Sequence, residues 1–495
     1  MILSDLAALL GPRVLGSAGD QTVAITGAAH DSRDVEPGDV FIALKGARFD
    51  GHDYLDAARA AGATAALVEG PGSLARVPDG MGALAVSSGR AVLAEVALAV
   101  YRRPARELDF IGVTGTNGKT STCYFLDSIA RAAGRPSGLF TTLEIRTPDG
   151  TSVTASRTTP EATTLQKWLR RMADLGARQV AAEVSSHALD LGRVEGTEFA
   201  GVVYTNLSQD HLDWHRTMRD YYLTKAGLFT RDVFVRGDCV GAVNIEDEYG
   251  RELVGVAECP VVKFGLNDGA DVWASDIDLG DSSTTFVLHA PAGERRVALC
   301  LLGRFAAWNA LAAAALSLGR GTPLDAVVDG LEALPCVPGR LELVSSGSGP
   351  RVLVDYAHTP ASLTSVLSSV RELCAGRLVC VFGCGGDRDT TKRPLMGRAV
   401  AEGADIVYVT SDNPRSEDPD SIMDMIVPGL QGADYVRIAD RRDAIHAAVA
   451  AARDSDVVVV AGKGHETYQE FAGRTIHFDD REVAREALAA RRVPA

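Results

Sequence analysis

Asp109-Phe110-Ile111-Gly112-Val113-Thr114-Gly115-Thr116-Asn117-Gly118-Lys119-Thr120 is the stretch on which the reading of the fold turns. Its first six residues have the apolar, β-branched character of a buried strand. A glycine-rich turn follows, and a helical pattern begins at Lys119. A strand that runs through such a turn into a helix opens an α/β unit and implies a parallel sheet. The turn also aims backbone N–H groups at one point, where phosphate oxygens fit, with Lys119 to neutralise charge and Thr120 to reach Mg²⁺. The spacing departs from the strict GxxxxGK[ST] form: Val113 stands at the first glycine position, and the glycines fall at every third residue.

Outward from this turn, Gln179-Val180-Ala181-Ala182 and Gly201-Val202-Val203-Tyr204 each stop at polar residues, as strands do at the carboxyl edge where such sheets bind ligands. Farther on, Val352-Leu353-Val354-Asp355, Leu378-Val379-Cys380-Val381-Phe382, Ile406-Val407-Tyr408-Val409 and Val457-Val458-Val459-Val460 alternate with helical lengths, which predicts a second doubly wound, Rossmann-like domain. Val40-Phe41-Ile42-Ala43-Leu44 and the Ala-rich helical stretch 54–61 belong to a smaller α/β piece. Pro-marked polar stretches at 101–106 and 334–339 divide the pieces. The expected fold is α/β in three domains: residues 1–104 for substrate, 105–335 around a central P-loop-type doubly wound sheet, and 336–495.

A chain of 495 residues exceeds one ordinary core and gives about three domains at the usual size. Its 46% hydrophobic and 23% charged residues are those of a globular protein. A formal net charge of −15 argues against the broad basic face that a nucleic-acid partner requires, and leaves room for local basic pockets. The eight cysteines show no CxxC pair and no repeated ligand spacing, so free buried thiols in a reducing compartment are expected. Residues 1–16 carry Asp5 and no basic leader, and read as an amphipathic helix rather than a signal peptide. The apolar runs 91–100 and 306–318 fall short of the ~20 residues of a membrane helix. A cytoplasmic protein with no membrane span is expected.

Glu183, in Glu183-Val184-Ser185-Ser186-His187, stands just after a strand, where a carboxylate beside bound nucleotide holds Mg²⁺. Alone it reads as a solvated turn residue; the phosphate loop is what favours the metal. His211 and His215 have the i,i+4 spacing of a chelating helical pair, although histidines so spaced are more often surface or core residues.

Together these motifs resemble one family, the Mur ligases, and within it the ligases that act on UDP-N-acetylmuramoyl-L-alanyl-D-glutamate. The marks run in order over nearly the whole chain: residues 115–120, Thr158-Thr159-Pro160, residues 183–187 and 206–211, Tyr222-Leu223-Thr224-Lys225, Asn309, Gly339-Arg340-Leu341-Glu342, Asp355-Tyr356-Ala357-His358 and Gly385-Gly386-Asp387-Arg388. The resemblance implies an ATP-dependent, amide-forming ligase of peptidoglycan precursor synthesis. Its partners would be UDP-MurNAc-L-Ala-D-Glu and meso-diaminopimelate, and it would work as a monomer.

By the same resemblance Ser32, with Arg33 and the Lys45-Gly46 loop, would hold the UDP end of the substrate. Gly115, Thr116, Asn117, Gly118, Lys119 and Thr120 would cradle ATP. Asn309 would lie at the adenine, Arg340 at the ribose, and Asp355 at the phosphate-side hinge of a closing C-terminal domain. Thr120, Glu183, His211 and Lys225 would hold Mg²⁺, with Lys225 carrying a carbamate formed from CO₂. Lys119, Lys225 and His211 would be the catalytic residues. A neutral amine could not hold a second Mg²⁺ beside cationic neighbours, whereas a carbamate is the oxygen-rich anion that hard cations prefer. Thr158, Thr159, Ser185 and Arg193 would contact the muramoyl-peptide.

The implied amino-acid pocket is Asp412-Asn413-Pro414-Arg415 with Arg388 and Gly462-Lys463-Gly464-His465-Glu466. Diaminopimelate has a second zwitterionic centre far from the reacting amine. Arg415 and Arg388 suit its carboxylates, and Glu466 with Asp412 its ammonium. Lysine lacks the distal carboxylate, and in the family Arg at this motif goes with diaminopimelate. Read alone, Asp-Asn-Pro is a turn. Two departures leave open a related ligase with another amino acid or UDP-linked substrate in secondary metabolism: Ala306, where the family has Asn after Phe305, and Leu139-Phe140-Thr141-Thr142 in place of a Gly-Thr turn. A folylpolyglutamate-type ligase shares the chemistry, but Ser32-Arg33 and residues 412–415 argue against it. A GTP switch would need an NKxD signature, which does not follow the phosphate loop.

Overall fold

The computed structural model describes residues 1–46, 49–232, 234–344 and 349–491. The chain gathers into two compact units, one of Met1–Leu207, His211–Phe264 and Ala312–Pro323, the other of Ser208–Asp210, Gly265–Leu311 and Leu324–Ala495.

In the first unit β1 (Val14–Ala18), β2 (Gly27–Ala29), β3 (Asp39–Ile42), β4 (Ala65–Glu69) and β5 (Gly82–Val86) form a sheet ordered β1-β5-β4-β3-β2, parallel except at β1. Val40 and Ile42 pack with Leu3, Leu6 and Val92 on one face, whereas Phe41 and Ala43 pack with Leu55 and Ala58 on the other. Burial on both faces is why these strands read as unbroken apolar runs.

The unit's second sheet comprises β6 (Asp109–Thr114), β7 (Ser137–Phe140), β8 (Glu144–Arg146), β9 (Ser152–Thr154), β10 (Gln179–Glu183), β11 (Phe199–Tyr204), β12 (Val235–Asn244) and β13 (Val261–Gly265). Their order is β13-β12-β11-β6-β10-β7-β8-β9; β8 and β9 are antiparallel and the rest parallel. Phe110 stacks on Phe199 with ring centroids 4.7 Å apart. At the sheet's amino edge Asp109 accepts hydrogen bonds from Arg135, from Arg236 at 2.8 Å and from Arg320 at 2.9 Å. Burial pushes its carboxyl up, but the guanidinium groups outweigh burial and hold it below the usual carboxylate range.

In the second unit β14 (Val272–Leu279), β15 (Thr284–Ala290) and β16 (Gly293–Leu299) form an antiparallel meander. The sequence reading had no place for it, because its strands alternate polar and apolar residues and bury one face only, as Thr284, Phe286 and Leu288 do in β15. Then come β17 (Glu342–Leu343), β18 (Arg351–Asp355), β19 (Leu378–Phe382), β20 (Ile406–Val409), β21 (Tyr435–Arg437) and β22 (Val457–Ala461), ordered β17-β18-β22-β19-β20-β21 and parallel except at β17. A hairpin, β23 (Tyr468–Phe471) and β24 (Arg474–His477), follows. Val352, Val354, Val458 and Val460 face Ile445 and Val483, and Leu353, Val457 and Val459 face Leu363 and Val400. Each such side chain contributes about 1.5–3 kcal/mol by leaving water. The α/β class therefore holds in both units.

All eight cysteines are free thiols. Among the described residues no helix is long and apolar enough to cross a membrane. The apolar runs 91–100 and 306–318 lie within the helices Gly89–Val100 and Arg304–Gly319.

Arg441 and Asp480 are both fully buried and meet through two bonds of 2.7 Å, while Arg441 also donates to Ala461 O at 2.9 Å. This pair ties the helix Asp480–Arg491 to the carboxyl end of β22. Removing one partner of a buried ion pair strands the other and costs about 3–5 kcal/mol. Asp480→Ala is expected to lower the urea midpoint by the corresponding amount; a midpoint equal to that of the wild type would refute this role.

Candidate functional site

Between β6 and the helix Lys119–Ala132, Gly115 has φ +144° and Gly118 φ +86°. A Cβ on Gly115 would lie 2.0 Å from Thr205 Oγ1, so both conformation and space demand glycine. The residues after β11 clamp this loop. Thr116 N donates to Asn206 O at 2.9 Å and Asn117 N to Asn206 Oδ1 at 3.0 Å, while Thr205 Oγ1 and Asn206 Nδ2 donate to Asn117 O at 2.6 and 3.1 Å. Lys119 Nζ folds onto Gly115 O at 3.0 Å and Thr116 O at 2.8 Å. Buried Lys225, on the helix Met218–Thr230, reaches the same Gly115 O at 2.9 Å. Two amines thus converge on one carbonyl beside a helix N-terminus, a setting that favours anions. Tyr221 lies under Lys225 Nζ at 4.6 Å from its ring centroid, and its hydroxyl is 3.3 Å from Thr116 Oγ1.

Glu183 closes β10 opposite Val113 and is buried. Its Oε1 accepts from Thr120 Oγ1 at 2.8 Å and from Thr142 N at 2.8 Å, and its Oε2 from Thr142 Oγ1 at 3.3 Å. The oxygens of Thr120 and Glu183 are the donor type of a hard cation, so these residues fit Mg²⁺. Among the described residues no group of three or more His, Cys, Asp or Glu is arranged to hold a metal alone.

His211 and His215 do not share a helix. His211 has φ +53° in an irregular turn, and His215 N donates to His211 O at 2.8 Å. His211 meets His187 edge-on at 4.7 Å and Tyr221 edge-on at 6.1 Å, while buried His215 stacks on Tyr221 at 5.0 Å. Spacing alone could not tell these arrangements apart.

Thr159 Oγ1 donates to Glu183 O at 2.8 Å and accepts from Ser185 N at 3.1 Å, and Thr158 Oγ1 accepts from Thr142 Oγ1 at 3.1 Å. Arg193 is buried and donates to Glu161 at 3.1 Å and to Thr159 O at 3.1 Å, so it braces this loop from behind. Glu161 also accepts from Arg90 at 2.6 Å, and His30 meets Thr163 at 2.7 Å; these bonds bring the segment of Ser32 beside residues 158–163. Burial alone would raise the Glu161 carboxyl, but Arg193 and Arg90 hold it low. Arg33 is turned to Asp31 instead, at 2.5 Å.

In the second unit Asn309 is half-buried on the helix Arg304–Gly319. The guanidinium of Arg340 lies 5.2 Å from the Tyr356 ring centroid. Buried Asp355 accepts from Leu341 N and Ala357 N, each at 2.8 Å, so its carboxylate shapes the turn that presents Arg340. Asn413 Nδ2 donates to Glu466 Oε2 at 2.9 Å, and fully buried Lys463 donates to Glu466 at 3.0 Å and to Asn413 Oδ1 at 3.1 Å. A Cβ on Gly462 would lie 2.6 Å from Asp412 Oδ2, which places that backbone directly against the carboxylate. Arg415 donates to Gly386 O at 2.7 Å and pairs with Glu470 at 3.3 Å, and Arg388 is exposed.

Residues 113–317 match the Mur ligase middle domain, residues 339–464 the Mur ligase, glutamate ligase domain, and residues 24–102 the Mur ligase family, catalytic domain. The chain belongs to the Mur ligase family. It is 44% identical to the UDP-N-acetylmuramoyl-L-alanyl-D-glutamate--2,6-diaminopimelate ligase of Streptomyces coelicolor, over 98% of this chain and 96% of that one. To the enzyme of the same name from Bacillus licheniformis it is 42% identical, over 95% and 96%. A solved structure of a ligase of that name superposes with a TM-score of 0.67 at 32% identity, covering 100% of both chains. A MurF ligase from Thermotoga maritima in complex with ADP shares the fold, with a TM-score of 0.65 at 19% identity over 94% and 96%.

The roles of several residues of this Mur ligase escaped the sequence reading: Thr142, Glu161, Arg90 and Tyr221. Each acts by holding another residue, and no local motif reports such a role. Two outcomes follow from the geometry. Gly115→Ala should weaken ADP binding at least about tenfold, equivalent to ~1.4 kcal/mol. Gly72→Ala, whose Cβ meets nothing within 4 Å, should leave it unchanged by calorimetry. Burial, with Arg340, Arg481 and Lys463, lowers the His465 imidazole from its ordinary 6.5 to about 4. The unfolded chain then takes the proton first, so the stability from neutral His465 is present above pH 6.5 and is lost as pH falls toward 4. His465→Asn should flatten the dependence of Tm on pH across that window, and an unchanged slope would refute the assignment.

Proposed function

We propose that this Mur ligase joins meso-diaminopimelate to the D-glutamyl γ-carboxylate of UDP-MurNAc-L-Ala-D-Glu at the expense of ATP, as a cytoplasmic monomer in peptidoglycan precursor synthesis. The observation that carries this reading is the likeness, at 41–44% identity over nearly the full chain, to ligases named for that acceptor and that amino acid. The paired charges of the Arg388, Asp412, Arg415 and Glu466 cluster support it.

In the proposed reaction the γ-carboxylate attacks the γ-phosphorus of ATP. ADP leaves, and the diaminopimelate amine displaces phosphate from the resulting acyl phosphate. The protein's part is positioning and charge neutralisation. Gly115, Gly118 and Thr120 offer N–H groups to the phosphates, while Thr116 and Asn117, whose N–H groups donate to Asn206, hold the loop in shape around them. Lys119 exchanges its loop carbonyls for phosphate oxygen. Thr120, Glu183 and His211 hold Mg²⁺, which neutralises phosphate charge when bound. Asn309 and Arg340 hold adenine and ribose, and Asp355 keeps the Arg340 turn in shape. Ser32 takes the UDP end; Thr158, Thr159 and Ser185, braced by Arg193, take the muramoyl-peptide. Arg388 and Arg415 bind the amino acid's carboxylates, and Asp412 and Glu466 its ammonium, with Asn413 and Gly462 completing the pocket.

Lys225 carries a carbamate in this reading. The support is electrostatic: two like-charged amines on one carbonyl oxygen oppose each other, and converting one to an anion turns repulsion into attraction and adds a hard-cation ligand. Lys225→Ala should reduce ligation by about 10²–10³, and a small carboxylate such as formate should restore part of it; turnover at the wild-type rate would refute the role. For the reading as a whole, ADP release is measured with UDP-MurNAc-L-Ala-D-Glu and either meso-diaminopimelate, L-lysine or no amino acid. Stimulation greatest with diaminopimelate, and a tripeptide product of matching mass, is expected. A preference for lysine would overturn the pocket assignment, and no stimulation by either would overturn the substrate pair.

A further inference from the structure

Two loops of the second unit, residues 383–388 after β19 and residues 410–417 after β20, are bound face to face. Gly386 N donates to Asn413 O at 2.9 Å, and Arg415 Nη1 returns a bond to Gly386 O at 2.7 Å. Asp387 accepts from Ser416 Oγ at 2.6 Å and Ser416 N at 3.2 Å. A Cβ on Gly386 would lie 1.9 Å from Pro414 O, so the backbones approach as closely as glycine allows. Both Asp387 and Arg415 are held at φ +54°, a left-handed conformation that aspartate visits with local hydrogen bonds and that is uncommon for arginine.

One ion pair is bonded to the backbone on either side of the first of these turns. Arg393, on the helix Lys392–Gly403, is fully buried and grips both oxygens of Glu417, at 2.8 and 2.9 Å. The same Arg393 donates to Gly385 O at 3.3 Å, and the same Glu417 accepts from Asp387 N at 2.5 Å. The pair therefore ties a carbonyl and an N–H of the first loop to a side chain of the second, two residues from Arg415 and one from Arg388 in sequence. Neither residue belongs to the charge set that the pocket presents to an amino acid.

We infer that Arg393 and Glu417 are positioning residues for amino-acid selection: their buried pair sets the left-handed turns that carry Arg388 and Arg415, and so sets where the guanidinium groups meet the distal carboxylate. The inference rests on the proposed assignment of those arginines to the amino acid. A planar, two-pronged guanidinium makes this geometry specific, and lysine at 393 would keep the charge but lose one prong.

The test measures KM for each substrate, kcat and Tm in Glu417→Gln and Arg393→Lys. Glu417→Gln should raise KM for meso-diaminopimelate about tenfold or more, in line with the sensitivity of catalysis to displacements near 1 Å. KM for ATP and for UDP-MurNAc-L-Ala-D-Glu should stay near the wild-type values. The kcat/KM preference for diaminopimelate over L-lysine should shrink, because lysine lacks the carboxylate that the arginines meet, and Arg393→Lys should show a milder form of the same pattern. An unchanged amino-acid KM, or a rise of all three KM values together with a fall in Tm, would overturn the inference in favour of a structural role. Should Arg393→Lys fail to fold, Glu417→Gln, whose side chain is part-exposed, supplies the same reading alone. The wild-type choice between the two amino acids tests the underlying assignment separately: if lysine is preferred, that assignment falls, and KM for lysine in the variants then decides the inference.

Discussion

The parallel register of three strands is the constraint on which the first unit's site depends. Glu183 lies opposite Val113 and Tyr204 opposite Thr114, so β10, β6 and β11 end side by side. Because parallel strands present all their carboxyl ends at one edge, the phosphate loop, the buried carboxylate and the Thr205-Asn206 clamp arrive together without a long excursion of chain. A slip of one residue would turn Phe110 and Val113 to the wrong faces. The apolar cores and the polar edge are thus set by the same pairing.

Charge is handled at that edge in a consistent way. Glu183 is buried but accepts from Thr120 and Thr142. Lys119 and Lys225 are turned onto a backbone carbonyl. Each group is satisfied by partners that a phosphate or a cation can replace, which keeps the desolvation cost low before ligand arrives and leaves the charges in place to meet it. In the loops after β19 and β20 buried Arg393 and its partner Glu417 likewise satisfy each other and also bond Gly385 O and Asp387 N beside a left-handed turn.

Much of this was legible in the chain. The strand Asp109–Thr114 and the helix beginning at Lys119 stand where the pattern placed them, and so do β18, β19, β20 and β22, because apolar runs buried on both faces leave little doubt about period, whereas the short edge strands β17 and β21 were not read. The meander β14 to β16 was missed, since alternating strands in a polar stretch give a weak signal. The i,i+4 spacing of His211 and His215 left a helical couple and surface or core histidines both open, and the structure separates them: the backbone turns at His211 and gives it His187 as a neighbour.

What the sequence determined by itself was local: which segments become strands and helices, where glycine permits a turn, and which side chains have the chemistry to meet phosphate, metal or a zwitterion. Family membership follows from the order of those motifs. Only the tertiary structure decided which residues are held and by what. Thr205 closes on Gly115, Glu161 takes Arg193 and Arg90 together, Lys463 steadies Asn413, and Arg393 reaches Glu417 across 24 positions of chain. The physical reason is that such contacts are made by strand register and helix packing between segments distant in sequence, so no local pattern encodes them.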